Sequence, residues 1–207
     1  MTPPMTPPVN TPLFDPDTAR DRLLAAAARL FRRQGYAATT VRAIGAEVGI
    51  LSGSLFHHVR SKEDLLFHVL DRVIEAMNRD LAAALAAAPD LEARLTALIA
   101  VEVTYLHGPS ADATAVLFHD WRALPAARQR PLLAGREAYF HRWTQVLTEA
   151  RDAGLTEVAP DILRQFLHGA LAWTSFWYRP EGALSPDDLI QQALIMIRRP
   201  APPAQTA

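Results

Sequence analysis

Residues 40–59 constrain the fold more than any other stretch of the chain. Apolar residues recur at helical spacing over 41–48, and Thr40 stands where its hydroxyl can cap that helix by accepting a bond from a free backbone N–H. Gly49 follows at the position where a helix end requires positive φ, which glycine adopts at little steric cost. The sequence therefore predicts a short helix that stops at a tight turn.

A second short helix is predicted directly after this turn, over 52–59. Ile50 fills the angle between the two helices, while Leu55 and Val59 face the interior. The exposed positions are Ser54, Phe56, His57 and His58. A capping box at 61–64 follows at once. This pattern indicates a helix-turn-helix, whose second helix lies in the major groove of DNA. The alternative is an ordinary helical hairpin within a bundle.

The surrounding residues resemble the DNA-binding domain of the TetR/AcrR family of bacterial regulators, over about Asp17 to Met77. The resemblance rests on the runs GYAATTVR (35–42), GSLFHHV (53–59) and SKEDLL (61–66), with Gly49 between them. Three residues depart from the family: Gly45 where alanine is usual, Leu51 where a serine N-cap is common, and Phe56 in place of tyrosine. Glycine costs a helix about 1 kcal/mol, and the missing serine moves the expected cap to Ser52.

The resemblance also implies which residues touch DNA. Phosphate contacts, which set the register of the protein on the duplex, are implied for Thr40, His58 and Lys62. Contacts in the major groove are implied for Arg42, Ser52, Gly53, Ser54, Phe56 and His57. Arg42 can make the bidentate contact to guanine. The expected function is a ligand-responsive transcriptional repressor that binds a palindromic operator.

Helical periodicity continues through the rest of the chain and predicts an all-α fold of about nine helices without strands. Helices are expected over 15–33, 41–48, 52–59, 61–88, 91–105, 110–124, 131–153, 161–178 and 185–199. The first is expected to begin with Asp15 as N-cap and Pro16 as its first residue. The helix over 61–88 has no break between the DNA-binding part and the body, so it can act as a lever.

The chain is expected to divide into a disordered tail at 1–14, a helix-turn-helix domain at 15–62, a ligand-binding and dimerisation domain at 63–199 and a second disordered tail at 200–207. The formal net charge is −1 over 207 residues, but 15–62 carries eight basic against four acidic residues. That segment is therefore +4 and the remainder −5. A basic domain on an acidic body fits a protein that touches DNA at one end, although a chance fluctuation would give the same pattern.

Several classes of function find no support in the sequence. There is no cysteine, no apolar run long enough to cross a membrane, and no signal peptide at the N-terminus, so a cytoplasmic protein is expected. The seven histidines show no metal-ligand spacing, and no nucleotide or nucleophile motif is present. Neither a cofactor nor enzymatic activity is expected. The rival from another class is a helical-bundle ligand carrier or enzyme with an incidental helix-turn-helix.

The last two predicted helices are unusually apolar. The first has Ile162, Leu163, Phe166, Leu167, Ala170, Leu171, Trp173, Phe176 and Trp177, and the second has Leu189, Ile190, Ala193, Leu194 and Ile197. A helix that is apolar nearly all round is buried on two sides. The family resemblance implies that the two helices pair with their copies in a homodimer as a four-helix bundle. The alternative is a fully internal helix in a monomer.

The body also holds a group of aromatic and polar residues, including all four tryptophans, that could line a ligand cavity. The group is Trp121, Arg122, Arg136, Tyr139, Phe140, Trp143, Trp173, Phe176 and Trp177. Plain core packing is the alternative for any single member.

Two segments, 50–58 and 172–186, resemble a branch of the family that senses CoA thioesters of catabolic acids, including steroid-degradation intermediates. The CoA phosphates would need arginines near the mouth, for which Arg122, Arg136 and Arg142 are candidates because guanidinium groups bind phosphate bidentately. The alternatives are a free acid or other apolar effector, and a cationic drug in a regulator of an efflux pump.

Overall fold

The computed structural model describes residues 12–50 and 59–198, and within these ranges it contains α-helices and no strand. The helices are α1 (Ala19–Gln34), α2 (Val41–Glu47), α3 (Lys62–Ala87), α4 (Leu91–His107), α5 (Ala111–His119), α6 (Ala126–Asp152), α7 (Pro160–Trp177) and α8 (Pro186–Ile197), with a 3-10 turn at Trp121–Ala123. The all-α prediction is confirmed. The helix predicted over 52–59 lies outside the described residues, apart from its last residue Val59, which is buried and not helical.

The start of α1 differs from the prediction. Thr18, not Asp15, is the N-cap, because the Thr18 hydroxyl accepts from the Asp21 N–H at 3.1 Å. Asp15 instead organises the turn before the helix, where its carboxylate accepts from the Asp17 N–H at 2.9 Å. Leu13 and Phe14, placed in the expected tail, pack against the core.

The turn after α2 forms as the local chemistry predicts. Thr40 caps the helix by accepting from the Ala43 N–H at 3.1 Å. Gly49 has a φ of 70°, and the Ile50 N–H closes the turn by donating to the Gly45 carbonyl at 2.9 Å. Gly45 itself is buried.

Helix α3 joins the DNA-binding part to the body without a break. It has 26 residues, a length of about 39 Å at 1.5 Å per residue. The Ser61 hydroxyl caps it by accepting from the Asp64 N–H at 3.0 Å, while the Asp64 carboxylate accepts from Arg128 of α6 at 3.2 Å. Helix α3 packs against α1, α4, α5 and α6, so it touches both halves of the molecule.

The predicted helix boundaries between α5 and α6, which were placed at Pro125 and Pro131, are wrong. The helix predicted over 110–124 ends at His119, and the helix predicted to start at Pro131 already starts at Ala126. Pro131 lies inside α6 at the cost of one backbone hydrogen bond to the preceding turn. The Gln129 side chain satisfies the Leu124 carbonyl at 2.6 Å, which helps to hold this early start.

Helix α4 forms the centre of the body, and residues 98–103 are all buried. Helix α8 packs on α4, and its cap is a full capping box between Ser185 and Asp188. Helix α7 packs on α6 and α4. Within the described ranges, no helix is both long and apolar enough to span a membrane.

Candidate ligand pocket and DNA-binding surface

A cavity of about 70 Å³ lies in the body between α3, α4, α5, α6 and α7. Four of the nine predicted ligand residues line it, namely Trp121, Arg136, Tyr139 and Phe140. Trp143 is fully buried behind this wall, with its ring centroid 4.4 Å from that of His168. Arg122 lies over the ring of Trp121 at 5.4 Å, next to the cavity.

The other three predicted residues, Trp173, Phe176 and Trp177, do not line this cavity. They are exposed on the outer face of α7, where Trp173 and Phe176 stack on each other with centroids 4.6 Å apart. They were assigned to the pocket because they are aromatic residues of the body. Helical geometry separates them, because His168 of the same helix faces inward and these residues face outward.

Two residues at the closed end of the cavity, Glu102 and His168, were not predicted as ligand residues. Glu102 of α4 is fully buried, and its carboxylate accepts from the Tyr139 hydroxyl at 2.7 Å and lies 3.1 Å from His168 Nδ1. The available signal was that Glu102 is the one charged residue within the apolar run 98–106. A buried carboxylate requires partners of this kind.

The electrostatics of this end follow from the contacts. Burial by itself raises the pKa of Glu102, but the charge of His168 and the hydrogen bonds from His168 and Tyr139 outweigh it, so that pKa lies below its usual value. Burial and the adjacent carboxylate raise the pKa of the Tyr139 phenol well above its usual value. Tyr139 therefore stays a neutral donor to an ionised Glu102.

Arginines gather at the opposite, outer end of the cavity. The guanidinium of Arg136 lies 5.4 Å from the ring of Trp121 and 5.5 Å from that of Phe140, and Arg164 lies 4.6 Å from Phe140. Burial and the neighbouring charge of Arg122 lower the pKa of Arg136. Neither Arg122 nor Arg136 forms an ion pair with another residue in the described part of the chain.

Arg142, the third predicted phosphate ligand, is engaged elsewhere. It donates to Asn78 Oδ1 at 2.7 Å and to the Ala138 carbonyl at 3.1 Å. The Asn78 amide in turn donates to the carbonyls of Ile74 and Gly135, at 2.9 and 3.0 Å. Arg142 and Asn78 thus fasten α3 to α6 beside the cavity.

Three of the predicted DNA contacts lie in the described residues. Thr40 and Arg42 are exposed at the start of α2. Lys62 donates to the carbonyls of Tyr36 and Ala37, at 2.9 and 3.2 Å, so it ties the start of α3 to the turn after α1. The remaining predicted contacts, Ser52, Gly53, Ser54, Phe56, His57 and His58, lie outside the described residues.

The DNA-binding part is also pinned to α3 by a paired charge. Arg72 donates through both terminal nitrogens to the buried carboxylate of Asp21 on α1, at 3.0 and 3.2 Å. A bidentate pair fixes geometry as well as charge. Arg29 and Glu47 form a longer contact of 3.6 Å between α1 and α2.

The outer face of α7 carries a cluster of exposed apolar side chains: Ile162, Phe166, Trp173, Phe176 and Trp177. Phe166 is 64% exposed, and Ile195 and Met196 of α8 are also exposed. The residues of α8 that were predicted to form the dimer interface, by contrast, are inside the protomer, and Leu194 is only 4% exposed. The apolar residues predicted on α8 thus pack inside the protomer, whereas the outer face of α7, together with Ile195 and Met196 of α8, remains on the surface.

Two family models match this chain, one in its N-terminal part and one in its C-terminal part. A family model described as "Bacterial regulatory proteins, tetR family" matches residues 23–69, and one described as "Tetracyclin repressor-like, C-terminal domain" matches residues 88–200.

Individual relatives extend over almost the whole chain. The HTH-type transcriptional repressor KstR2 of Rhodococcus jostii is 30% identical over 93% of this chain and 96% of its own length. The structure of the ketosteroid transcriptional regulator KstR2 of Mycobacterium tuberculosis superposes with a TM-score of 0.79 at 25% identity, covering 90% of this chain and 96% of that one.

Two further structures share the fold. The crystal structure described as superantigen pfit has 40% identity and a TM-score of 0.77, over 91% of this chain and 94% of its own. AibR in complex with isovaleryl coenzyme A and operator DNA has 21% identity and a TM-score of 0.78, over 86% of this chain and 96% of its own.

Proposed function

The chain belongs to the TetR family of bacterial regulators and is a transcriptional repressor of that type, and we propose that a CoA thioester in its pocket releases it from a palindromic operator. Regulators of this family bind operator DNA, dimerise and bind small ligands. One observation carries the proposed ligand class: Arg122 and Arg136 lie beside an apolar cavity and form no ion pair in the described part of the chain.

The acyl group would occupy the cavity between α3 and α6. Its apolar walls include Ile74, Met77 and Phe140. Its 70 Å³ are well below the about 300–1,000 Å³ of a typical ligand pocket. An acyl group of more than a few carbons must therefore push these walls apart, and α3 supplies two of them.

Displacement of α3 would reach the DNA-binding part directly. Arg72, which holds Asp21 of α1, is two residues from Ile74 on the same helix. A second link runs from α5, because this helix lines the cavity and also packs directly against α1. Moving the population from 1:99 to 99:1 requires the effector to bind the released state about 5.5 kcal/mol better.

The CoA phosphates would bind on the arginine side. An outer groove shares Arg136 and Phe140 with the cavity and is also lined by Arg164 and His141. Glu137 and Asp161 lie along the same groove, so its charge is mixed rather than uniformly positive. Two relatives support the class: AibR forms a complex with isovaleryl coenzyme A and operator DNA, and KstR2 of Mycobacterium tuberculosis is a ketosteroid transcriptional regulator.

DNA reading would follow the pattern of the family. Arg42 would contact a base and Lys62 a phosphate with the hydrogen that its two carbonyl bonds leave free. Thr40, Ser52, Gly53, Ser54, Phe56, His57 and His58 are proposed as the other contacts. The exposed face of α7 would pair with its copy, so that two recognition helices meet half-sites about one or more helical turns apart.

A cationic drug is the second candidate effector, and one observation favours it: Glu102 is a buried carboxylate that lines the cavity. However, both of its oxygens already accept hydrogen bonds, from Tyr139 and His168. A cation would have to displace one of these partners, whereas an anion would find Arg122 and Arg136 without ion-pair partners among the described residues.

The test is DNA release followed by fluorescence anisotropy. The probe is DNA from upstream of the repressor's own operon, and the titrants are acyl-CoA thioesters, the matching free acids and cationic drugs. Release by thioesters at concentrations where the acids have no effect is the expected result. Equal potency of acids and thioesters, or release by the drugs alone, would refute the CoA assignment.

A further inference from the structure

The polar groups that line the cavity differ in their free hydrogen-bonding capacity. The Asn78 amide donates to two carbonyls and its oxygen accepts from Arg142. The Tyr139 hydroxyl donates to Glu102. His168, in contrast, uses one ring nitrogen only, since its Nε2 is buried without a hydrogen-bond partner in the described chain. An unsatisfied buried polar atom is unfavourable, so this nitrogen requires a partner.

The neighbours of His168 determine what that partner must be. Glu102 accepts from Nδ1 at 3.1 Å, so Nδ1 carries a hydrogen in either protonation state of the ring. Nε2 is then an acceptor in the neutral ring and a donor in the charged ring. The rings of Phe140 and Trp143 have centroids 4.8 and 4.4 Å from that of His168. The polar atom of these two rings is the Trp143 indole Nε1–H, a donor that is also buried without a hydrogen-bond partner among the described residues and so does not satisfy Nε2.

We propose that His168 Nε2 binds an oxygen substituent, hydroxyl or keto, on the otherwise apolar part of the effector. The inference rests on the proposed function, because it takes this cavity as the effector site. A hydroxyl can donate to the neutral ring or accept from the charged ring, whereas a keto oxygen accepts from the charged ring only. Glu102 and Tyr139 act as positioning residues that fix the orientation of the imidazole.

Two kinds of selectivity would then be separated within one pocket. Arg122 and Arg136 would select the anionic part of the effector, and His168 would select among acyl groups of similar size. A purely apolar pocket discriminates weakly between analogues that differ by a hydroxyl. A site built to hydrogen-bond that hydroxyl rejects the analogue without it, because the protein group is left unpaired.

The experiment measures dissociation constants by calorimetry with the full-length dimer. The test compounds are octanoyl-CoA and its hydroxy and keto derivatives at successive chain positions, together with the matching free acids. At one or more positions the oxygenated thioester should bind about tenfold or more tightly than octanoyl-CoA. In His168→Phe this preference should vanish, so that the dissociation constants of octanoyl-CoA and its oxygenated derivatives become about equal.

Two further variants protect the interpretation. Glu102→Gln/His168→Phe removes the buried charge together with its partner, which keeps the protein foldable if His168→Phe alone leaves Glu102 unpaired. Phe118→Leu alters an apolar wall and should weaken oxygenated and unsubstituted compounds alike. Spectra of ¹⁵N-histidine protein should show the His168 Nε2 resonance moving with an oxygenated compound and staying in place with octanoyl-CoA.

Each outcome decides something. Loss of the preference in both His168 variants, with the Nε2 shift in the wild type, supports the proposal. Wild-type protein that binds octanoyl-CoA as well as every oxygenated derivative overturns it and leaves the proposed function intact. A preference that persists without His168 also overturns it. If neither thioesters nor acids bind, the proposed effector class is wrong and this inference falls with it.

Discussion

Gly135 of α6 packs closely against α3, next to Ile74. A Cβ atom at this position would lie 2.5 Å from Ile74 Cγ2, where ordinary contacts between carbon atoms are about 3.5–4.0 Å. Because Cγ2 belongs to a β-branched side chain on a helix, its rotamer has little freedom to move aside. We therefore predict that Gly135→Ala forces the two helices apart by about 1 Å or more, in the direction that an effector would push them.

The expected strain is that of overpacking a core, about 1–3 kcal/mol. If the released conformation relieves this strain, the equilibrium between the two states moves by about 5–150-fold. Operator affinity should fall by that factor, and effector affinity should rise, since coupling between two binding sites is reciprocal. Thermal stability should change less, because alanine in a helix interior gains up to about 1 kcal/mol over glycine.

The assay is anisotropy with operator DNA, with and without the effector, for wild type, Gly135→Ala, Ile74→Ala and the double variant. Ile74→Ala removes Cγ2, so it should restore part of the operator affinity that Gly135→Ala loses, and a double-mutant cycle measures this coupling. Circular dichroism must show that each variant is folded. If folded Gly135→Ala binds operator and effector as the wild type does, the spacing of α3 and α6 does not set the state of the repressor.

Two further predictions concern assembly and DNA reading. Phe166→Glu should give a folded monomer with weakened operator binding, whereas Leu194→Glu should unfold the protomer because Leu194 is buried against its own core; light scattering that still shows a Phe166→Glu dimer would move the interface elsewhere. Arg42→Ala should cost about 1–3 kcal/mol and relax specificity at one base pair, while Lys62→Ala should weaken all sequences alike and lower the salt slope by about 1. Lys62→Ala should also lower the melting temperature, because two carbonyls of the turn after α1 lose their donor. Identical effects of the Arg42 and Lys62 variants across an operator library would contradict the assigned roles.

Helix ends and turns were predictable where one side chain decides the outcome. Thr40, Ser61 and Ser185 cap their helices as expected, and Gly49 takes the expected positive φ. Each depends on atoms within a few residues of each other, so tertiary structure adds little. The start of α1 was missed because Asp15 and Thr18 are both good caps, and choosing between them depends on the turn that Asp15 makes with Asp17.

The pocket was predictable only in part, because it depends on which face of each helix turns inward. Arg136, Tyr139 and Phe140 lie on consecutive turns of α6 and reach the cavity together. Trp173 and Phe176 of α7 were included in the same group because they are aromatic, although they lie on the exposed side of their helix and not in the cavity. The apolar residues of α7 and α8 are evident in the sequence, but only the packing of α8 on α4 shows that α7 keeps its face free.

The sequence shows that Glu102 needs polar partners, but it does not show which residues supply them. A carboxylate in the middle of an apolar helix must find partners or lose its charge, so the position alone predicts a buried polar network. The partners come from α6 and α7, 37 and 66 residues along the chain, and no local pattern connects them to α4. Helix α7 takes part in both effector binding and the proposed subunit pairing. His168 faces the cavity, while Phe166, two residues earlier, faces outward. An effector that moves His168 would therefore also move the surface through which the two subunits are proposed to pair, and the spacing of their DNA-binding domains with it.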